Sequence, residues 1–269
     1  MDYFKSKTGK WALITGASSG IGQEFAAQLA ELGMNLVLVA RRTEKLKQIA
    51  SKLKEVHAIE TELITADLSA GNFLESITRN TNGLEIELLI SNAGATIPGS
   101  FHKRDLTELN AHLHLNTNAH MQLTHYFGNK MKSRGSGGII LVSSTGAFSA
   151  MPYMSNYTAA KAYVLSLGEA MHLELKPYGV CVLVLLPGPT ETPMTMEAAG
   201  MDSKKLPVTF MPTNTVVRGA LKKLGKQAMY IPGAANKFAY LLSKRIFSRL
   251  AMAKILGAMM KKAMKPEII

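Results

Sequence analysis

A tyrosine and a lysine four residues apart, Tyr157 and Lys161, have the residue types and the spacing for acid–base chemistry. In a helix this spacing puts both side chains on one face, with the ammonium beside the phenol. A phenol with an ordinary pKa of about 10 is a poor base at pH 7, and a nearby cation lowers that pKa towards the useful range. The hydroxyl of Ser144, thirteen residues before Tyr157, is a candidate third member of the group.

The tyrosine–lysine spacing alone does not identify a site, because it occurs three more times in this chain. The other pairs are Tyr3/Lys7, Tyr126/Lys130 and Tyr240/Lys244. They are most simply solvated helical or terminal residues. Only Tyr157 also follows a predicted strand that ends in a hydroxyl, with a glycine-rich turn earlier in the chain, so this context selects it as the functional tyrosine.

The glycine-rich turn is the segment 15–22, Thr-Gly-Ala-Ser-Ser-Gly-Ile-Gly, between a predicted strand and a predicted helix. Glycines there let the backbone turn sharply and let a pyrophosphate approach the main-chain N–H groups at the start of the helix. The spacing Gly-x-x-x-Gly-x-Gly departs from the Gly-x-Gly-x-x-Gly of many dinucleotide enzymes. The alternative is a tight strand–helix turn that binds no ligand.

The end of the second predicted strand bears on which dinucleotide would fit. Ala40 is followed by Arg41 and Arg42, where an acidic residue would bind the adenosine ribose hydroxyls. Two guanidiniums are suited to a 2′-phosphate, so NADP(H) is favoured over NAD(H). The alternative is that both arginines only begin a solvated helix.

Seven short apolar runs, mostly β-branched, predict strands, and the segments between them have the apolar spacing of helices. The predicted strands are 11–15, 35–40, 62–66, 88–91, 139–143, 180–186 and 229–231. The predicted helices are 20–32, 43–55, 70–81, 105–132, 156–176, 214–225 and 234–265. This alternation predicts an α/β fold, a doubly wound sheet of seven parallel strands with helices on both faces, in one domain over residues 1–269. Ligands of such sheets bind at the carboxyl ends of the strands.

Composition narrows the function classes. With 47% hydrophobic and 19% charged residues the chain is neither disordered nor fibrous. One cysteine, Cys181, excludes a disulfide framework and a multi-cysteine metal site, so we expect no metal and a cytoplasmic location. The net charge of +12 is local, because residues 203–266 hold 14 Lys and Arg and no Asp or Glu. A nucleic-acid footprint would be spread over the fold, and none is expected.

Several motifs together resemble the short-chain dehydrogenase/reductase family. They are 15–22, Asp67, 92–94 (Asn-Ala-Gly), Asn116, Ser144, Tyr157, Lys161, Pro187-Gly188 and Thr192, in the order and spacing of that family over about 10–231. The resemblance implies a one-domain Rossmann-type fold that moves hydride between NAD(P)(H) and a carbonyl or alcohol. Pro189 is a small departure, because the family usually has an apolar residue after that glycine.

The resemblance also implies the role of each residue. Tyr157 would protonate the carbonyl oxygen, Ser144 would polarise it, Lys161 would bind the nicotinamide ribose, and Asn116 would hold a water that links Lys161 to solvent. Taken alone, Asn116 is more simply a polar residue at a helix bend or surface, and only the family spacing selects it. The residues expected to bind the cofactor are Gly16, Ser18, Ser19, Gly20, Ile21, Gly22, Arg41, Arg42, Asp67, Leu68, Asn92, Ala93, Gly94, Tyr157, Lys161, Pro187, Gly188 and Thr192.

Two segments beyond these motifs bear on substrate and partners. Residues 192–213, rich in methionine, stand where the family has its substrate lid and favour an apolar substrate, although the same residues would also simply pack the lid on the core. Residues 234–265 alternate apolar and basic side chains and predict an amphipathic helical extension. That extension suits an anionic membrane surface, a partner groove or packing on the domain itself. Family resemblance implies a homodimer or homotetramer.

The prediction is therefore an NADP(H)-dependent oxidoreductase that reduces an apolar or lipid-like ketone or aldehyde. The alternatives are a non-catalytic NADP(H)-binding regulator and a membrane-surface scaffold. Retention of both Tyr157 and Lys161 argues against the regulator.

Overall fold

The sheet of this protein is parallel and has seven strands. The computed structural model describes residues 2–4, 6–196 and 200–269. The strands are β1 (Trp11–Thr15), β2 (Asn35–Ala40), β3 (Thr61–Thr65), β4 (Ile86–Ser91), β5 (Gly137–Val142), β6 (Val180–Leu185) and β7 (Met229–Tyr230). Their order across the sheet is β3-β2-β1-β4-β5-β6-β7, so the direction of winding reverses between β1 and β4. The doubly wound fold class is confirmed.

Helices cover both faces of the sheet, which explains why its strands are apolar on both sides. They are α1 (Gly20–Glu31), α2 (Thr43–His57), α3 (Phe73–Asn80), α4 (Leu106–Leu113), α5 (Ala119–Arg134), α6 (Ser155–Leu175), α7 (Pro193–Met196), α8 (Thr213–Lys223), α9 (Ala234–Arg245) and α10 (Arg249–Ala263). On one face Phe25 of α1 packs with Val217 of α8. On the other, Phe127 of α5 packs with Val164 of α6.

One helix was predicted over 105–132, and the structure divides it. Between α4 and α5 the turn His114–Asn118 is π-helical. Side chains compete with the backbone there: Asn116 Nδ2 donates to the carbonyl of His112 at 3.0 Å, and Thr117 Oγ1 donates to that of Leu113 at 2.6 Å. Such single wide turns are rare and often mark functional sites, and this one carries Asn116.

The prediction of a single helix over 234–265 is also wrong, because the structure has two helices there, α9 and α10, with a corner between them. The backbone N–H groups of Ile246 and Phe247 both bond the carbonyl of Leu242, which ends α9. The hydroxyl of Ser248 then accepts from the N–H of Ala251 at 3.2 Å and caps α10. Within the residues that the structure describes, no helix has the length and apolarity to span a membrane.

The segment predicted as a substrate lid, 192–213, contacts the end of the chain. Part of it, 197–199, lies outside the described residues. Met201 forms an antiparallel bridge with Met264, the N–H of Asp202 donates to the carbonyl of Ala263 at 2.8 Å, and that of Lys265 donates to the carbonyl of Gly200 at 2.9 Å. The residues after α10 therefore hold this segment in place.

Candidate active site

A cavity of about 250 Å³ opens at the carboxyl ends of the strands, beside the point where β1 and β4 diverge. Of the residues predicted to bind or react, all but Gly22 and Asn116 line it. The structure thus brings together residues that lie as far apart in the chain as 16 and 192. Most of them stand in the loops that follow strands β1 to β6. This is where a doubly wound sheet is expected to bind its ligand.

The glycine-rich turn fits an anionic ligand. Gly16 and Gly20 have φ values of +67° and +56°, which side chains rarely adopt. A Cβ on Gly22 would lie 2.3 Å from the carbonyl oxygen of Gly16, so only glycine allows α1 to pack against the turn. No side chain caps the start of α1. Its N–H groups therefore face the cavity with the favourable end of the helix dipole, as a pyrophosphate requires.

Both arginines after β2 line the cavity and are exposed. The Arg42 guanidinium Nη2 donates to the hydroxyls of Ser18 and Ser19, at 2.9 Å each. It therefore lies across the glycine-rich turn, although it also directly precedes α2. Two cations beside the turn, of which Arg42 is held in place by these hydrogen bonds, suit a phosphate group.

Asp67 follows β3 and lines the same end of the cavity. Its carboxylate accepts from the hydroxyl of Ser69 at 2.7 Å and from the N–H of Ser69 at 2.9 Å. These hydrogen bonds lower the pKa of Asp67, and the charge of Arg41 adds to the effect. The next helix begins only at Phe73, so the carboxylate stabilises its own turn and stays ionised.

Thr15 holds the loop after β4, a role that its place in the glycine-rich segment 15–22 did not predict. Its buried hydroxyl accepts from the N–H groups of Asn92 and Ala93 at 2.9 and 3.0 Å. Asn92 Nδ2 in turn donates to the carbonyl of Thr15 at 2.8 Å. At Gly94, an added Cβ would lie 2.8 Å from Asn116 Oδ1 and 3.2 Å from Lys161 Nζ. The loop therefore sits directly against both side chains.

Ser144, Tyr157 and Lys161 meet at the centre of the cavity. Ser144 Oγ accepts from the N–H of Gly146 at 3.0 Å, and Ser144 and Tyr157 line the same part of the cavity. Ser143 points the other way, as neighbours on a strand do, and its hydroxyl donates to the carbonyl of Lys161 at 2.7 Å. Lys161 Nζ donates to the carbonyl of Val142 at 3.1 Å and lies 5.8 Å from the centre of the Tyr157 ring.

The other three tyrosine–lysine pairs also have the lysine ammonium over the tyrosine ring, but their tyrosines lie outside the cavity. In each, the lysine Nζ lies over the ring, at 5.4 Å for Tyr3, 4.9 Å for Tyr126 and 5.5 Å for Tyr240. None of these tyrosines lines the cavity. The local spacing therefore yields the cation–ring contact, and the sheet decides which pair faces the cavity.

The pKa values differ from the sequence expectation. Burial raises the pKa of Tyr157, and the hydrogen bond from Ser144 offsets this only in part. The expected lowering by Lys161 is therefore wrong for this structure, because the phenol is desolvated. Burial also lowers the pKa of Lys161 to about 8. No carboxylate among the described residues forms an ion pair with this ammonium.

His112 on α4 joins three segments of the site and was also missed. Its Nε2 donates to the carbonyl of Ala95 at 3.0 Å, and its Nδ1 accepts from Asn156 Nδ2 at 3.1 Å. The ring lies edge-on to Tyr157, with centroids 6.4 Å apart. Burial lowers the pKa of His112 to about 4, so the ring is neutral at pH 7. Its one proton is then on Nε2, and the ring holds Asn156, the residue before Tyr157.

Asn116 lies behind Gly94 and is fully buried. Its Oδ1 accepts from the N–H of Ala95 at 3.3 Å, and its Nδ2 donates to the carbonyl of His112. The side chain thus belongs to the same network as His112. The water-holding role of Asn116 stays a prediction.

The far wall follows β6. The carbonyl of Pro187 accepts from the N–H of Thr145 at 2.9 Å, and Thr192 packs against Gly20. Gly188 allows the side chain of Asn236 on α9 to approach, since an added Cβ would clash with it. Cavity-lining residues to which the sequence reasoning gave no catalytic or cofactor-binding role are Ala40, Ala66, Leu115, Val142, Ser143, Thr190, Pro193, Met194 and Thr195. Most directly adjoin predicted residues, so position after a strand was the available signal.

Tyr157 also packs against an apolar cluster. Met154, Met260 and Met264 form its buried part. The partly buried members are Met151, Tyr153, Tyr157, Met201, Leu206, Met259, Ile268 and Ile269. Most of these side chains come from the lid segment and from α10 and the residues after it. Of the alternatives left open for the extension 234–265, packing on the domain itself therefore holds for the inner side of α10.

Fold and site together define a class of dinucleotide-binding oxidoreductases. Residues 10–202 match the short chain dehydrogenase family, and the chain belongs to it. It is similar to a very-long-chain 3-oxoacyl-CoA reductase of Meyerozyma guilliermondii, with 30% identity over 94% of this chain and 79% of that protein.

Solved structures agree with this assignment. A 7beta-hydroxysteroid dehydrogenase structure has a TM-score of 0.87 at 28% identity, and the alignment covers 94% of this chain and 99% of that chain. A short-chain dehydrogenase of Sphingobium yanoikuyae in complex with NADPH has a TM-score of 0.78 at 32% identity, over 88% and 93% of the two chains. The family resemblance is confirmed.

Replacing Lys161 with Met is expected to stabilise the protein. At pH 7 the wild-type chain keeps a buried ammonium without a carboxylate partner, so Lys161→Met should raise the free energy of unfolding by about 1–3 kcal/mol. The unfolded lysine keeps its proton up to its ordinary pKa, whereas the folded one loses it from about pH 8. Wild-type stability therefore rises with pH between these two values, and the advantage of the variant should shrink towards pH 10.

Urea denaturation of both proteins at pH 7 and pH 10 measures this difference. The control is Lys130→Met, at the exposed lysine of the Tyr126/Lys130 pair, which should change stability by less than about 0.5 kcal/mol. A Lys161→Met protein that is less stable than wild type by the same amount at both pH values would contradict the interpretation.

Proposed function

We propose that this protein is an NADP(H)-dependent reductase of apolar or lipid-like ketones and aldehydes. The observation that carries the proposal is that Ser144, Tyr157 and Lys161 line one cavity, with Lys161 one helical turn beyond Tyr157. Its family, the short-chain dehydrogenases, supplies the reaction type: oxidoreduction between an alcohol and a carbonyl. The cofactor and the substrate class are the proposed parts.

The residues fit a dinucleotide. Gly16, Gly20 and Gly22 leave room for a pyrophosphate at the start of α1, and a side chain at any of them would be strained or would clash. Lys161 is placed to bind the nicotinamide ribose, and Gly188 and Thr192 to contact the carboxamide side. When bound, NADPH supplies the hydride for the carbonyl carbon. Every other step belongs to the side chains of this chain.

Tyr157 is proposed as the proton donor for the carbonyl oxygen. Because burial raises its pKa, the phenol keeps its proton at neutral pH, which is the form needed for reduction. Ser144 polarises the same oxygen by a hydrogen bond. Lys161 has a pKa of about 8, so it is mostly protonated at pH 7. This pKa is close enough to the pH of the solvent for the ammonium to exchange its proton. Asn116 is proposed to hold the water that connects Lys161 to solvent.

The apolar cluster beside Tyr157 supports an apolar substrate. Methionine side chains adapt to irregular apolar shapes, and this cluster has several of them. The two relatives named above are described by steroid and very-long-chain acyl substrates, both bulky and apolar. A non-catalytic NADP(H)-binding regulator is the alternative function, and its signature would be cofactor binding without turnover.

A homodimer or homotetramer through α5 and α6 is part of the proposal. Met121, Tyr163 and Leu173, on these two helices, are exposed, and large apolar side chains on a helix surface favour an interface. The proposed location is the cytoplasm, in keeping with a single cysteine.

Tyr157→Phe is expected to reduce kcat for ketone reduction by at least about 100-fold, because the proton donor is removed. The affinity for NADPH should stay within about threefold, since only one hydroxyl is lost. Absorbance of NADPH with a panel of aryl and aliphatic ketones measures turnover, and fluorescence titration measures binding.

Tyr126→Phe is the matched control, because Tyr126 has the same lysine contact outside the cavity. It should leave both quantities unchanged. Unaltered kcat in Tyr157→Phe would place the proton donor elsewhere. NADPH binding by wild type with no turnover of any ketone or aldehyde would favour the regulator.

Arg41→Ala is expected to weaken NADPH binding by about 10- to 100-fold and NADH binding by less than about threefold. The reason is that one charge-assisted contact to the 2′-phosphate is lost, which only NADPH carries. Titration calorimetry with each dinucleotide measures both affinities. Arg79→Ala, in an exposed pair with Glu75, is the control. Equal losses of affinity for NADPH and NADH would contradict the proposed contact between Arg41 and the 2′-phosphate.

A further inference from the structure

One side of α9 is apolar and basic at the same time, and it faces solvent. Phe238 and Leu241 are 62% and 52% exposed. Lys237, Lys244 and Arg245 lie at the helical spacing that puts them on the same side. None of the residues of α9 is fully buried.

The same surface continues through the corner between α9 and α10. Ile246, Phe247 and Leu250 are 66%, 41% and 68% exposed, and Arg249 stands among them. We call these residues the basic apolar face: Lys237, Phe238, Leu241, Lys244, Arg245, Ile246, Phe247, Arg249 and Leu250. Large exposed apolar side chains this close together are unusual on a surface that only meets water.

The helix that carries this face is fixed to the body of the protein on its other side. The ring of Tyr240 packs on Phe148, with centroids 4.2 Å apart, and the side chain of Asn236 lies against Gly188. In α10, Gly257 packs on Pro152. The outward direction of the basic apolar face is therefore set by packing against the loops that follow β5 and β6, the same loops that carry the site.

The charge of the face restricts what can cover it. No Asp or Glu occurs over 203–266, whereas Lys and Arg are frequent there. Among the described residues, no carboxylate forms an ion pair with Lys237, Lys244, Arg245 or Arg249. A second copy of this chain in a twofold dimer would set these four cations against the same four, which is repulsive. An anionic lipid surface offers both the apolar layer and the opposite charge.

We propose that the basic apolar face docks this protein on an anionic lipid bilayer. Phe238, Leu241, Ile246, Phe247 and Leu250 enter the boundary between headgroups and acyl chains, and the four cations contact the lipid phosphates. Docking in this way places the loops after β5 and β6, and the apolar cluster beside Tyr157, next to the bilayer. The proposal does not depend on the proposed reaction, since binding to lipid needs no turnover.

Co-sedimentation with vesicles tests it, with the full chain and no substrate. Vesicles of phosphatidylcholine alone are compared with vesicles that also contain phosphatidylserine, at low and high salt. Wild type is expected to bind the phosphatidylserine vesicles at least tenfold more tightly, and high salt should weaken this binding. Equal binding to vesicles with and without phosphatidylserine, or no binding to either, would overturn the proposal.

Two variants separate the charged and the apolar parts of the face. One is Lys237→Glu, Lys244→Glu and Arg245→Glu, and the other is Phe238→Ser and Leu241→Ser. Each should lose at least tenfold in affinity for the phosphatidylserine vesicles. The matched charge control is Lys47→Glu, Lys52→Glu and Lys54→Glu, on the exposed side of α2, which should bind as wild type does. Equal loss in this control would show that net charge alone acts, and would overturn the proposal.

Two further measurements keep the outcomes distinct. Thermal unfolding and turnover of a water-soluble ketone should match wild type in the face variants, because none of these residues lines the cavity. If the proposed function fails, soluble ketone is not reduced by any of the proteins, and vesicle binding still reports on docking. In the last outcome, light scattering shows that wild type is an oligomer and that the face variants are not, and wild type does not bind vesicles. The face would then join copies of this chain, and the proposal would be wrong.

Discussion

The buried ammonium of Lys161 is the constraint around which the rest of the site is arranged. It has one carbonyl partner, that of Val142, and lies where a side chain on Gly94 would touch it. Because the cation is desolvated, nearby groups adjust to it. His112 and His120 are held neutral by burial, and the positive charge of Lys161 adds to the lowering of each pKa. A second cation in this pocket would be costly, and the structure avoids one by using neutral imidazoles as hydrogen-bonding groups.

Those neutral rings also explain how distant parts of the chain keep a common geometry. His112 connects the loop after β4, through Ala95, to the residue before Tyr157 on α6. Asn116 connects the same loop to the carbonyl of His112, within the π-helical turn. A regular helix over this stretch would turn these side chains to other directions. The wide turn is therefore part of how the site is positioned.

The segment from α9 to residue 269 has an inner side, which packs on the protein, and an outer side, which is exposed. Its inner side supplies Met260, Met264 and Ile268 to the apolar cluster beside Tyr157 and holds the segment that follows Thr192. Its outer side carries the basic apolar face. The break between α9 and α10 makes both possible, because one straight helix would extend away from the domain instead of folding back over it.

The sequence by itself determined the order of strands and helices along the chain, the glycine-rich turn and the two arginines after β2, and its context indicated Tyr157 as the candidate among four similar pairs. These follow from local spacing and from where each residue stands after a strand, which are properties that a chain carries without its fold. Only the tertiary structure decided that burial raises the pKa of Tyr157, that the Thr15 hydroxyl and His112 hold the loop after β4, and that side chains from α10 and the residues after it pack in the apolar cluster with Tyr157. Each of these depends on desolvation or on contacts between segments far apart in the chain, and no local pattern records which distant atoms will surround a side chain once the sheet has formed.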